Sequence, residues 1–230
     1  LFFFEVGAMV LQRESIRERV RQVLLERILD GTYKPGDRLV ELQIAKEFNV
    51  SQAPVREALR ELEASRLIES EAYRGTRVRE VSLRELQESY QVRGALEALA
   101  ARLAAGQFQA SPKELLTIHK AYRAAARSKD PKRFAETNAA FHRLIVEASG
   151  NAVLLRTWDS LSFETLTRLS IQRMHPADAD WAIAIDEHQV IVDALIAGDG
   201  SAAERLMQCH AETVLSLMGS GKSGNALLEV

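Results

Sequence analysis

Three of the five histidines in this sequence, His142, His188 and His210, together with Asn138, carry donor atoms suited to a metal ion. Asn138 and His142 lie four positions apart, so on a helix they share one face. His188 and His210 fall in two later helical segments. Three imidazole nitrogens and one oxygen directed into a helical core bind zinc or a similar first-row ion and leave positions for water or a ligand. Taken singly, a histidine on an apolar helix face is more often a hydrogen-bonded core residue than a ligand.

A second set reads as nucleic-acid chemistry. Ser51, Gln52, Ala53 and Arg56 open a short helix behind a tight turn, the placement that presents side chains to a major groove. Arginine donates two bonds to a guanine edge and glutamine two to an adenine edge. Serine bonds a phosphate, and Arg74 with the Gly75 backbone stands where a hairpin would add contacts to phosphates or the minor groove. The competing reading makes Arg56 and Arg60 solvated helix residues paired with Glu57 and Glu61.

The elements that must position these groups are legible from periodicity and breakers. A helix is expected over about 15–30, stopped by Gly31, followed by a turn at Tyr33-Lys34-Pro35-Gly36-Asp37. Leu39-Val40 is a candidate short strand. Helices are expected over 41–48 and 53–65, separated at Asn49, with Ser51 as N-cap and Pro54 in the first turn. Leu67-Ile68-Glu69-Ser70 and Thr76-Arg77-Val78-Arg79 alternate around Gly75 as a β-hairpin. From Ser82 everything reads as helix, in segments at about 82–107, 111–128, 131–149, 151–174, 178–197 and 201–218. The fold class is therefore mainly α: a winged helix-turn-helix over 9–80, an antiparallel all-α bundle over 81–218, and a tail over 219–230.

Composition narrows the function classes. The chain is 47% hydrophobic and 27% charged, with 12 glycines and 5 prolines in 230 residues. Its net charge is −2, and residues 9–80 hold 14 Lys and Arg against 13 Asp and Glu. A DNA surface must come from arginines placed on one face rather than from bulk charge. The lone Cys209 excludes an internal disulfide and fits a reducing, cytoplasmic setting. No apolar run reaches the roughly 18 residues a membrane span requires. Leu1-Phe2-Phe3-Phe4 is too short for that, and Met9 is a candidate natural start.

Residues 15–80 resemble the DNA-binding domain of the GntR family of bacterial regulators. The resemblance rests on Pro35-Gly36-Asp37-Arg38-Leu39, Glu41, Ile44-Ala45, Val50-Ser51, Pro54 through Arg60, Leu62, Arg74-Gly75 and Val78. It implies operator contacts from Ser51, Gln52, Ala53, Pro54 and Arg56, and from the wing tip at Arg74-Gly75. The chain departs from the family at Gln52 and Leu42, where arginine is common, and at Arg66, where glycine is usual.

Residues 82–218 are similar to the FCD domain, the effector domain of the FadR subfamily of these regulators. The matching residues are Tyr90, Arg93, Leu96-Glu97, Ala100, Phe134, Asn138, Phe141-His142, Gly150-Asn151, Glu187-His188, Ile191, Ala194-Leu195, Gly198-Asp199, Ala202, Leu206-Met207 and His210. The similarity implies one divalent first-row metal per chain (zinc, nickel or manganese) held by Asn138, His142, His188 and His210. It matches neither His119 nor His175, which are left as surface or packing residues. Arg93 and Arg168 are candidates to hold an effector carboxylate, although Glu97, four residues on, offers Arg93 an ion pair instead. The implied function is a homodimeric DNA-binding repressor of double-stranded operator DNA, controlled by a small organic or sugar acid. Two alternatives are a regulator for which the metal itself is the signal, and a metal-dependent enzyme. The enzyme lacks an H-E-x-x-H pattern, a Ser/His/Asp set and a placed carboxylate base.

Overall fold

The computed structural model describes residues 15–71, 75–163, 165–168 and 182–220. Arg74, His175 and the tail beyond residue 220 lie outside the described residues. The chain divides into two compact units between Glu80 and Val81.

The first unit contains α1 (Ile16–Leu29), α2 (Glu41–Glu47), α3 (Gln52–Ala64), β1 (Ile68–Glu71) and β2 (Gly75–Val78). A capping box starts α1: the Ser15 Oγ accepts from the Glu18 amide at 3.2 Å, and the Ser15 amide donates to the Glu18 carboxylate at 2.8 Å. Val20, Leu24 and Ile28 on α1 pack with Val55, Leu59 and Leu62 on α3 in the core of this unit. The turn between α2 and α3 needs a left-handed residue, and Asn49 supplies it at φ 52°. The hairpin pairs Ile68 with Val78 and Glu71 with Gly75. The strand expected at Leu39-Val40 reduces to one bridge, Arg38 to Arg77, plus a bond from the Leu39 amide to the Thr76 carbonyl at 2.9 Å. Val40 instead becomes the residue from which α2 starts.

The second unit is helical: α4 (Leu83–Ala110), α5 (Lys113–Ser128), α6 (Pro131–Ala148), α7 (Ala152–Ser160), α8 (Ala182–Ala197) and α9 (Gly200–Ser220). Side-chain caps set three starts: Ser82 on the Glu85 amide, Asp130 on the Arg133 amide, and Asn151 on the Val153 and Leu154 amides. The single helix expected over 151–174 is broken. Helix α7 ends at Ser160, and Ser162 turns the chain at φ 51° before 165–168 resume helical geometry.

Helix α4 packs most extensively against α9, and the sequence explains how. Gly94, Ala98, Ala101 and Ala105 recur every three or four residues, and on α9 Ala203, Met207 and Ala211 recur every four, all six non-glycine residues being buried. Small residues on one stripe let the two backbones approach closely. Helices α5, α6 and α8 close the opposite side around Tyr122, Phe134, Phe141 and Ile191.

Candidate metal centre and nucleic-acid interface

Three helices bring three histidines to one point. His142 on α6, His188 on α8 and His210 on α9 each present one ring nitrogen, and these nitrogens lie within 4.8 Å of one another. His142 and His188 are 0% and 1% exposed.

In each ring, Nδ1 faces an oxygen atom, and in His188 and His210 it is hydrogen-bonded to it. His188 Nδ1 donates to the Ala184 carbonyl at 2.7 Å, one turn back on its own helix. His210 Nδ1 meets Glu187 Oε2 at 2.8 Å. His142 Nδ1 lies 2.8 Å from Glu97 Oε2, with the carboxylate off the line of the ring N–H. A partner at Nδ1 fixes the tautomer that leaves Nε2 with its lone pair. The Nε2 atoms of His142 and His188 are buried with no partner. Imidazoles backed by carboxylates and a carbonyl, with one nitrogen of each converging, are the donor set of a metal site, so these residues fit a first-row ion. Asn138 is buried on α6 one turn before His142.

Burial disfavours the charged form of His142 and His188. Burial pushes His142 down to about 4, with the Glu97 carboxylate pulling the other way. Burial, followed by the neighbouring His210 and His142, holds His188 well below the ordinary imidazole value.

Glu97 is the centre of a buried network that sequence reading assigned only to Arg93. Its Oε1 accepts from Arg93 Nε at 2.8 Å and from Trp158 Nε1 at 3.0 Å, while Oε2 faces His142. Burial alone would raise the Glu97 carboxyl, but Arg93 and then His142 outweigh it and hold the group well below the usual carboxylate range. Arg93 Nη1 donates to Thr167 Oγ1 at 2.6 Å, so this network ties α4, α6 and α7 to residues 165–168.

Arg93 is 4% exposed and held by Glu97 and Thr167. The side chain of Arg168 is 10% exposed and meets Glu136 at 3.4 Å. His119 is buried among Tyr122 and Phe141 as a packing residue. Among the residues missed in the sequence, Glu187 had one usable signal, its place beside His188. The pairing of Glu97 with His142 spans 45 positions and had none. Trp158 had a generic one, since a buried indole N–H needs an acceptor.

In the first unit, α3 buries Val55, Ala58, Leu59 and Leu62 and leaves Ser51, Gln52, Ala53 and Arg56 exposed, with Pro54 half-buried. Ser51 precedes the helix in extended geometry but makes no side-chain cap, so its hydroxyl is not consumed by the helix end. The two expected pairs of Arg56 and Arg60 with neighbouring glutamates are not what holds Arg56. Its guanidinium reaches Glu41 on α2 through three contacts of 2.9–3.1 Å. Gly75 opens β2 at φ 82°, a left-handed conformation that suits glycine at a tight hairpin.

Comparison with known proteins agrees with both units. Residues 16–78 match the model for bacterial regulatory proteins of the gntR family, and residues 88–213 match the FCD domain. The chain is 36% identical over 214 residues to a probable D-xylose utilization operon transcriptional repressor of Paenarthrobacter nicotinovorans, covering 93% of each chain. It is 29% identical over 189 residues to the gluconate operon transcriptional repressor of Bacillus licheniformis, covering 80% of this chain and 77% of that one. A solved GntR-type regulator from Rhodococcus sp. RHA1 superposes with a TM-score of 0.73 at 25% identity, over 90% of this chain and 99% of that one. No described helix is long and apolar enough to cross a membrane. The relatives and both domains are those of transcriptional regulators rather than enzymes, and the chain belongs to the GntR family of bacterial regulatory proteins, with a winged helix-turn-helix followed by an FCD domain.

Proposed function

We propose that this regulator is a FadR-type, homodimeric repressor whose operator affinity is set by a small organic or sugar acid bound at a metal held by Asn138, His142, His188 and His210. The observation that carries the reading is the convergence of the three imidazoles, each with an oxygen behind its Nδ1. A zinc, nickel or manganese ion there would supply a Lewis-acidic charge that an effector carboxylate or hydroxyl can ligate. The histidines would supply the ring nitrogens, with Glu97 behind His142 and Glu187 behind His210 to orient the rings. Arg93 and Arg168 are the proposed anchors for the acid, which must then compete with Glu97 and Glu136.

On the DNA side, Ser51, Gln52, Ala53, Pro54 and Arg56, with Arg74 and Gly75 of the wing, make the operator contacts. Two copies reading two half-sites account for a homodimer. Effector and DNA affinities are then coupled, each ligand changing the affinity for the other by the same factor. The names of two relatives refer to D-xylose and gluconate, which supports a sugar-derived effector.

Elemental analysis of chain purified without chelator tests the metal, with about one first-row ion per chain expected. Thermal shift of metal-loaded chain with gluconate and with D-xylose then tests the effector, since a ligand that binds only the folded state raises Tm. Fluorescence anisotropy on DNA from the chain's own upstream region tests the operator. An absence of metal even after reconstitution sinks the site. Salt-insensitive binding that Arg56→Ala leaves unchanged sinks the DNA reading.

A further inference from the structure

Glu41 opens α2, fifteen residues before Arg56, and the two side chains meet on the surface of the first unit. Arg56 Nε donates to both Glu41 oxygens at 3.1 Å, and Nη2 donates to Oε2 at 2.9 Å. This is a side-on, two-toothed contact.

Stability does not explain it well. The Arg56 and Glu41 side chains are 52% and 32% exposed, and an exposed pair of this kind adds little to folding. An acid in the first turn of a helix is favourable by itself, through the helix dipole, and needs no arginine. What the dipole does not account for is the two-toothed reach to the one arginine at the exposed start of α3.

The planar guanidinium has two edges that each offer a pair of N–H groups. Glu41 takes the edge formed by Nε and Nη2. The end-on edge, formed by Nη1 and the outer hydrogen of Nη2, faces away from that carboxylate. Two parallel N–H groups on one edge are what the O6 and N7 atoms of guanine accept. A flexible arginine loses rotamer freedom when it docks on a base; one already clamped loses less.

We propose that Glu41 is a specificity-determining positioning residue: it holds the Arg56 guanidinium by one edge so that the other is presented, pre-oriented, to guanine. The proposal rests on the reading of Arg56 as an operator contact. It has a signature opposite to that of an ordinary DNA-binding residue. A carboxylate near phosphates repels them, so Glu41 works against sequence-independent affinity while it supports discrimination.

The test selects preferred duplexes from a randomised pool with the full chain. It then measures affinity for a selected and a scrambled duplex by anisotropy at several salt concentrations. Glu41→Ala is expected to lower the selected-to-scrambled ratio about tenfold, the discrimination of one oriented arginine fork. Binding to the scrambled duplex should stay equal or tighten. Glu41→Gln, which keeps one acceptor oxygen, should fall between. In the Arg56→Ala background, Glu41→Ala should have no further effect on the ratio. A wild-type ratio near one would overturn the operator reading and this proposal together. A selective wild type, silenced by Arg56→Ala but unaltered in ratio by Glu41→Ala, overturns the clamp alone. Equal weakening of both duplexes, tracking a lower Tm, also overturns it, because that is a structural effect.

Discussion

The Oε2 atom of Glu97 lies 2.8 Å from Nδ1 of His142, while the other carboxylate oxygen holds Arg93 and Trp158. One buried acid thus fixes a candidate metal ligand and neutralises a buried arginine. Glu97→Ala leaves the Arg93 charge uncompensated and the Trp158 N–H without its acceptor, and is expected to cost about 3–5 kcal/mol. Replacing both charged partners, as in Arg93→Met with Glu97→Leu, should cost clearly less than Glu97→Ala alone. Urea unfolding of the three proteins checks the order; a double variant less stable than the single one would refute the account. Zinc affinity of the double variant, if it folds, should drop about 10–100-fold because His142 loses its support.

Stability without metal should depend on pH through the neutral histidines. His142, pushed down to about 4, and His188, lower than its ordinary 6.5, refuse protons that the unfolded chain accepts. A folded value below the unfolded one means the contribution is complete above about 6.5 and is lost as pH falls toward 4. With two such groups the slope approaches about 2.7 kcal/mol per pH unit at most. The lowered carboxyl of Glu97 adds its own loss only below its ordinary 4.5, so the window from 6.5 to 5 isolates the imidazoles. Urea midpoints of chelator-treated chain at pH 7.5, 6.5 and 5.5 measure this. A flat profile would mean the rings are charged or exposed in the native state.

Much of the fold was legible because its signals are local. Ser15, Ser82, Asp130 and Asn151 announce helix starts by cap chemistry, and Asn49 announces the left-handed turn before α3. The end of α7 was not legible: Trp158 to Arg168 keeps helical composition, and Ser162 has no intrinsic demand for φ 51°. The candidate ligands His142, His188 and His210 were nameable from spacing and resemblance, because each is a residue type with a recognisable role. Their supports were not. Glu97 and Glu41 look like ordinary helix acids, and only the packing of helices brings them to His142 and Arg56.

Arg66 follows the end of α3 at φ 56°, a left-handed conformation that favours glycine. A residue with a Cβ pays about 1–2 kcal/mol in this conformation, whereas glycine adopts it freely but loses more freedom on folding, about 0.5–1 kcal/mol. The Arg79 guanidinium bonds the Arg66 carbonyl at 3.2 Å, a contact the backbone keeps in any variant. Arg66→Gly should therefore stabilise the first unit by about 0.5–1 kcal/mol, the difference between those two effects. Thermal unfolding decides it, and a lower Tm would show that the arginine side chain makes up for the strain.

Two glycines on α4 should respond oppositely to one substitution. A Cβ on Gly94 would stand 2.7 Å from the Cβ of Ala211 on α9, an atom with no side-chain freedom to move away. The helices must separate, and overpacking of this kind costs about 1–3 kcal/mol. Gly106 lies on the exposed face of the same helix, and a Cβ there meets nothing within 4 Å. At that position alanine brings only its better helix propensity, about 0.8–1.0 kcal/mol. Gly94→Ala should thus lower the urea midpoint and Gly106→Ala should raise it. Because α4 carries Glu97 and α9 carries His210, only the first should also weaken zinc binding. Gly94→Ala with unchanged stability would show that the close approach of α4 and α9 is not needed to hold the site together.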